Sequence, residues 1–370
     1  MDFGSADGES RESAIDEPVR MPYNLSENIS VSPCRTGRSG IRRIFKGKRS
    51  PNSYFMERCY FMPAYQLLPA CKDYIWGGQK LKTGFGIQSE LNPLSEAWVL
   101  SCHPDGPSVL ADGPFAGLTL TEYLEKAGKA ALGTACQSFE NFPMRIKLID
   151  AKKDLSIQVH PSDEYALAHE GQYGKTEMWV VLDAEEGASL YYGFDREVSL
   201  EEFSRRVEDG TLTEVLKKVP VKTGDVFFIP SGTLHAIGAG LVIAEIQQNS
   251  NVTYRVFDYG RLGADGKPRP LHVEKALAVT DRRPAPALDF GEHLGSCRYF
   301  TTDGCEGAFR SECGDESFHA LLITEGEGTL TCGGESREVK KGQCFFLPAG
   351  SGAYQVDGNC RTLKAYLTLQ

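Results

Sequence analysis

The sequence predicts a mainly β protein made of two related barrel or jelly-roll units with a small helical insertion, and three observations carry that reading. Short apolar runs separated by Gly, Pro and Asp recur along the chain after residue 62, the mark of many strands joined by turns. Only two stretches carry helical spacing. A segment reading K-x-G-x-x-F-F-[IL]-P-x-G occurs twice, at 222–232 and 340–350, and a repeat of that length argues for two units of one design.

Residues 1–61 stand apart. They are rich in Ser, Gly, Glu and Arg, show no sustained period, and contain a basic run from Arg35 to Arg49 that no acid interrupts. Such a composition lacks the apolar content for a core, which predicts a disordered leader rather than a nucleic-acid or membrane-binding tail, with ordered sequence beginning at Met62. The first barrel is expected over 62–285, with strands at 144–149, 155–159, 178–182, 225–229 and 241–246. Leu120, Tyr123 and Leu124 open one helix, with Thr121 as its cap. Leu200, Phe203 and Val207, followed by Leu212, Val215 and Leu216, predict a helical pair around 199–218, inserted between strands. Residues 286–370 form the second barrel.

Composition narrows the function. The chain has 370 residues, 41% hydrophobic and 24% charged, an ordinary globular balance. No apolar run approaches the roughly 20 residues needed to span a bilayer. The acidic, polar opening does not read as a secretory signal, so the cytoplasm is expected, without a membrane partner. A net charge of −10 argues against a nucleic-acid surface, and any anionic substrate must be met by locally placed cations. The 11 cysteines are scattered with no CxxC, which supports neither a disulfide framework nor a thiolate zinc cluster. Cys344 reads as a small buried hydrophobe. The seven histidines are the scarcer resource.

One histidine has a telling context. Gly224, Pro230, Gly232 and His235 fit G-x5-P-x-G-x2-H: a buried strand ends at Pro230, Gly232 turns the chain, and His235 starts the next strand facing inward. In the second copy Ala353 stands where the first has His235, so the second barrel is expected to be metal-free. Upstream, Gln158 and His160 share one face of a strand that Pro161 ends, and Lys175 and Glu177 share a face of another. Two histidines and one glutamate bind Zn²⁺ while leaving a position open, and the same set suits Fe²⁺ as a facial triad.

The second half of the cupin signature lies in that His235 pattern. The usual cupin H-x-H with a close Glu is absent, since Gln158 replaces the first His and Glu177 comes later. QVHP at 158–161, GKTEMW at 174–179 and PSGTLH at 230–235 together resemble the type I mannose-6-phosphate isomerase family, especially its short bacterial form. YIWGGQK at 74–80, EAW at 96–98, HPDG at 103–106 and NSNVTYRVFDYGR at 249–261 extend the likeness, densely to Leu277 and loosely beyond.

That resemblance implies a metal-dependent cupin isomerase that interconverts mannose 6-phosphate and fructose 6-phosphate through an enediol. It implies one Zn²⁺ per chain, or another divalent metal, on His160, Glu177 and His235, with Gln158 a further ligand. Arg255 takes the place of the family's active-site arginine, and Lys147 and Lys175 those of lysines near the sugar. The alternative for Arg255 is a surface pair with Asp258. The general base stays open among metal-bound hydroxide, Lys175 and a Glu177-linked water. Two rival functions share the scaffold, an Fe-dependent cupin oxygenase and a non-catalytic sugar-binding cupin. His103 lies outside the ligand set and is expected to be structural. The oligomeric state is not legible.

Overall fold

The computed structural model describes residues 64–263 and 266–369, so the expected leader falls outside the described residues. The described strands form three antiparallel sheets of nine, six and five. The six-stranded sheet contains Met144–Ala151, Glu177–Ala184 and Leu241–Gln248; the five-stranded one contains Ile157–Val159, His235–Ile237 and Tyr254–Phe257. A core that includes Trp76, Trp179, Leu190, Ile229 and Ile243 joins these two sheets into the jelly-roll unit that carries the site. The predicted strands are present; Met144–Ala151, Glu177–Ala184 and Leu241–Gln248 run two or three residues longer than expected, and Ile157–Val159 and Val226–Ile229 begin one or two residues later.

The sequence repeat is a repeat of hydrogen bonds. Gly224 donates its N–H to Val181 O at 2.8 Å, and Gly342 donates to Ile323 O at the same distance. Lys222 N–H is capped by Asp225 Oδ2 at 2.9 Å, and Lys340 N–H by Gln343 Oε1 at 2.8 Å. Both glycines need the left-handed region, with φ of 93° and 88°, which explains why K-x-G survives in each copy. The turns then lead to different ends: His235 is fully buried, whereas Ala353 is exposed on the long strand Gly352–Tyr366.

The helices depart from expectation in detail. Leu120–Ala127 is capped by Thr119, not Thr121; Thr119 accepts from Glu122 N–H and Glu122 reaches back to the Thr119 N–H, a full capping box. Of the expected helical pair only Leu200–Glu208 is an α-helix; Leu212–Glu214 is a single 3₁₀ turn and Leu216 opens a strand. Gly210, at φ 71°, ends the helical run, and Leu212, Val215 and Leu216 still reach the same small core as Phe203. Asp163–Glu170, capped by Ser162, and Val273–Val279 are two helices that the apolar spacing did not reveal.

The expected boundary at residue 286 does not follow the sheets. Tyr65–Leu68 pairs with Cys344–Leu347 and with Val109–Leu110, so the first described strand belongs to the nine-stranded sheet of the C-terminal unit. One core cluster runs from Tyr65 and Leu67 through Ile146 and Met178 to Phe300 and Phe346. The two units are therefore fused through a common interior. Leu67→Ala is expected to cost about 2–5 kcal/mol, the usual range for a buried leucine. Chemical denaturation checks it, and a change below 0.5 kcal/mol or so, as at surface sites, would show that this strand is not an integral one.

Candidate metal centre

The sequence folds locally so that two sheets aim polar groups at one point. Ile157–Val159 ends at Pro161, placing His160 one residue past the strand, and Gly232 N–H donates to His160 O at 2.8 Å, tying it to the turn that carries His235. A Cβ at Gly232 would lie 3.1 Å from Val279 O, so the turn needs a glycine for space as well as for its φ of 89°. Across the gap, Glu177 begins the strand of the facing sheet.

His160, Glu177 and His235 are fully buried and offer ligand atoms within 4.8 Å of one another. His160 Nε2 lies 3.5 Å from Glu177 Oε2, and His235 Nε2 lies 3.4 Å from Glu177 Oε1. Each imidazole is oriented from behind: His160 Nδ1 is 2.9 Å from Val252 O and His235 Nδ1 is 2.8 Å from Thr233 O. A backbone carbonyl at Nδ1 fixes the proton there and leaves the Nε2 lone pair facing Glu177. Both Glu177 oxygens are buried; Oε2 has the Lys175 ammonium beside it, and Oε1 has no hydrogen bond among the described residues. A charged, desolvated acceptor left in that state is costly, and a cation between the three groups removes the cost. The donor set fits zinc.

The electrostatics agree. Burial raises the Glu177 carboxyl, but the Lys175 ammonium beside it outweighs this and holds the group well below the usual carboxylate range. Burial, then the charge of Lys175, draws His160 down to about 4, and burial also lowers His235. Both rings are neutral and the carboxyl is ionised, the states a divalent metal requires.

The other expected residues surround this triad. Gln158 is paired in register with both His235 and Arg255, so all three share a face, and its Nε2 lies 3.5 Å from His235 Nε2. Coordination would need the amide oxygen there, which a half-turn of the amide supplies. Lys175 Nζ lies 2.5 Å from Glu177 Oε2 and 3.3 Å from His160 Nε2. Lys147 Nζ is 3.0 Å from Glu245 Oε1 and 3.6 Å from Glu96 Oε2. Arg255 does not pair with Asp258, which is occupied by Arg261 and by Arg269 Nε at 2.7 Å. Its Nη1 donates to Pro270 O at 3.0 Å, and its Nε is buried without a partner. His103 packs edge-on against Trp98 away from the ligand group, and burial and Arg145 push it down to about 4.

Sequence reasoning missed three charged groups beside the site. Glu245 accepts from Trp179 Nε1 at 3.0 Å and faces both lysines; Glu96 accepts from Trp98 Nε1 at 2.6 Å; Arg145 is wholly buried. Their signal was present in the period. Arg145 and Lys147 alternate with Met144, Ile146 and Leu148, as Glu245 and Gln247 do with Ala244 and Ile246, inside strands otherwise apolar but for Asp150 and Gln248 near their ends. A polar stripe on one face of a buried strand marks an inward-facing site. A hollow of about 990 Å³, lined in part by Lys129, Tyr173, Asn251 and Lys275, touches none of the three ligands.

The family model described as phosphomannose isomerase type I, catalytic domain, matches residues 64–186, and that for the mannose-6-phosphate isomerase cupin domain matches residues 292–367. The mannose-6-phosphate isomerase ManA of Bacillus subtilis is 36% identical over 311 residues, covering 81% of this chain and 97% of the relative. The crystal structure of the mannose 6-phosphate isomerase from Bacillus subtilis superposes with a TM-score of 0.75 at 34% identity, covering 82% of this chain and 99% of that one. A mannose 6-phosphate isomerase bound with zinc and yttrium shares the fold, with a TM-score of 0.67 at 19% identity over 83% of this chain and 100% of that one.

Proposed function

The chain belongs to the type I phosphomannose isomerase family, and from that premise we propose that His160, Glu177 and His235 hold a zinc ion at its reaction centre. It is a metal-dependent aldose–ketose isomerase that interconverts mannose 6-phosphate and fructose 6-phosphate. Nothing in the comparisons favours an oxygenase or a non-catalytic binder. The observation that supports the metal reading is the buried Glu177 carboxylate facing two Nε2 atoms whose tautomers are fixed from behind, with its Oε1 unbonded among the described residues.

The reaction moves a proton between C2 and C1 through an enediol. A bound divalent cation supplies Lewis acidity toward the sugar oxygens on which charge develops. The chain's own charges are arranged to need that cation. Glu96, Glu177 and Glu245 stand against Lys147, Lys175 and Arg145, so the buried cluster is close to neutral and a divalent ion gives it the positive field that an enediolate requires. Burial alone would lower Lys175, but Glu177 and Glu245 raise it above its ordinary value. Held between Glu177 and Glu245, its ammonium is placed as a donor toward sugar oxygens. Lys147 lies beside Glu245 and Glu96, and burial draws its ammonium below its ordinary value despite them.

The phosphate needs cations that are not already matched. Asp258 is taken by Arg261 and Arg269, and burial followed by the like charge of Arg269 draws the Arg255 guanidinium below its usual value. An anion placed beside Arg255 relieves both. The described residues contain no helix long and apolar enough to cross a membrane, and a charged, impermeant substrate suits a cytoplasmic enzyme.

The test combines metal analysis with an isomerase assay on several aldose phosphates. One divalent ion per chain is expected, held by the first barrel, because His319 of the second is bound to Tyr354 OH at 2.9 Å and Ala353 offers no ligand. A second stoichiometric ion, or turnover that survives exhaustive chelation, would overturn the reading.

A further inference from the structure

We propose that Arg145 is a positioning residue for the metal site, acting through the irregular segment 249–253 that orients His160. The inference rests on the metal reading above. Between the strands Leu241–Gln248 and Tyr254–Phe257 the chain has no ladder of its own, yet Val252 O in this segment is the acceptor 2.9 Å from His160 Nδ1. Backbone bonds hold only its start, Asn249 N–H to Pro143 O at 2.9 Å and Ser250 N–H to Gln248 O at 2.7 Å, and side chains hold the stretch next to Val252.

Arg145 supplies the central clamp. Its Nη2 donates to Ser250 O and, at 2.7 Å, to Asn251 Oδ1, the two residues immediately before Val252. Gln247, opposite Arg145 in the sheet register, donates through Nε2 to the same Ser250 O at 2.9 Å. Ser250 Oγ then accepts from Val252 N–H at 3.2 Å and donates to Tyr173 O at 2.7 Å. The guanidinium is seated 4.2 Å over the Trp98 ring, which fixes its plane. An arginine buried this completely is expensive, and its Nε and Nη1 make no hydrogen bond, so neither solvation nor a full set of partners accounts for its presence. Its two made bonds both go to the segment that orients a ligand.

The chemistry follows. If Val252 O drifts, the proton on His160 is no longer held at Nδ1, the ring is free to present N–H toward Glu177, and the lone pair is lost to the metal. Removing an outer partner of a ligating histidine typically weakens metal binding about 10–100-fold.

The experiment measures zinc dissociation constants by chelator competition on wild type, Arg145→Lys and Asn251→Ala, together with the histidine ¹⁵N tautomer signature of the metal-free proteins. Lysine retains the charge but not the planar fork that spans residues 250 and 251. The expected result is a folded Arg145→Lys protein with zinc affinity about 10–100-fold weaker and His160 shifted away from the Nδ1–H tautomer. Wild-type affinity and tautomer in folded Arg145→Lys would overturn the proposal. If that variant does not fold, Asn251→Ala decides: several-fold weaker zinc supports the clamp, and unchanged affinity overturns it. Wild type that binds no zinc at all would instead remove the metal reading on which the inference rests.

Discussion

Replacing His235 with alanine is expected to remove the metal and to lower turnover by at least about 10²-fold, the scale of the several kcal/mol that a Lewis acid contributes. Glu177 would then face one imidazole instead of two, and its Oε1 would lose the group now 3.4 Å away. The barrel is expected to survive. The second copy of the hairpin carries Ala353 at the equivalent position and keeps the same Gly342 turn and Gln343 cap, so the turn folds without an imidazole. The local loss is the Nδ1 bond to Thr233 O, worth about 1 kcal/mol, and a modest cavity. Metal content by mass spectrometry, thermal unfolding against metal-free wild type, and isomerase rate are the three measurements. Retained stoichiometric metal with retained rate would refute the ligand assignment; loss of both with a collapsed melting transition would mean that the histidine is structural.

The fold was legible where a physical constraint shows in the residue types. The two K-x-G turns each demand a left-handed glycine, so the repeat could be read directly and corresponds to matching hydrogen bonds. The strands that carry His160, Glu177 and His235 were bounded by Pro161, Gly174 and Pro230, and alternation assigned their faces. What could not be read was pairing between distant segments. Nothing in Tyr65–Leu68 announces that its partner is Cys344–Leu347, because an alternating strand fits many edges equally well. The helix Asp163–Glu170 was missed because its signal lies in the Ser162 cap and not in an apolar stripe, only Ala166 being buried. Glu245 escaped because an acid inside an apolar run looks like a strand flaw until Lys147 and Lys175 are seen across the gap.

Arg255→Ala is expected to keep both fold and metal while turnover falls by about 10²-fold or more, as when a single donor to a developing oxyanion is removed. The alternation Tyr254, Arg255, Val256 puts the two flanking side chains into the small core and the guanidinium on the opposite face. In register it sits beside Gln158, whose amide reaches His235, so the arginine shares the metal's face of the sheet. The simplest competing role, an ion pair with Asp258, is taken by Arg261 and Arg269. Structural loss should be small: one bond to Pro270 O disappears, while the backbone bonds between Arg255 and His272 remain. Arg255→Lys should recover little, because a point charge cannot reproduce a planar fork toward an anion. The discriminating measurement is the split between kcat and KM with mannose 6-phosphate. A fall in kcat at similar KM places the guanidinium on the transition state, a rise in KM alone assigns it to phosphate binding, and wild-type values for both in Arg255→Ala would remove it from the site.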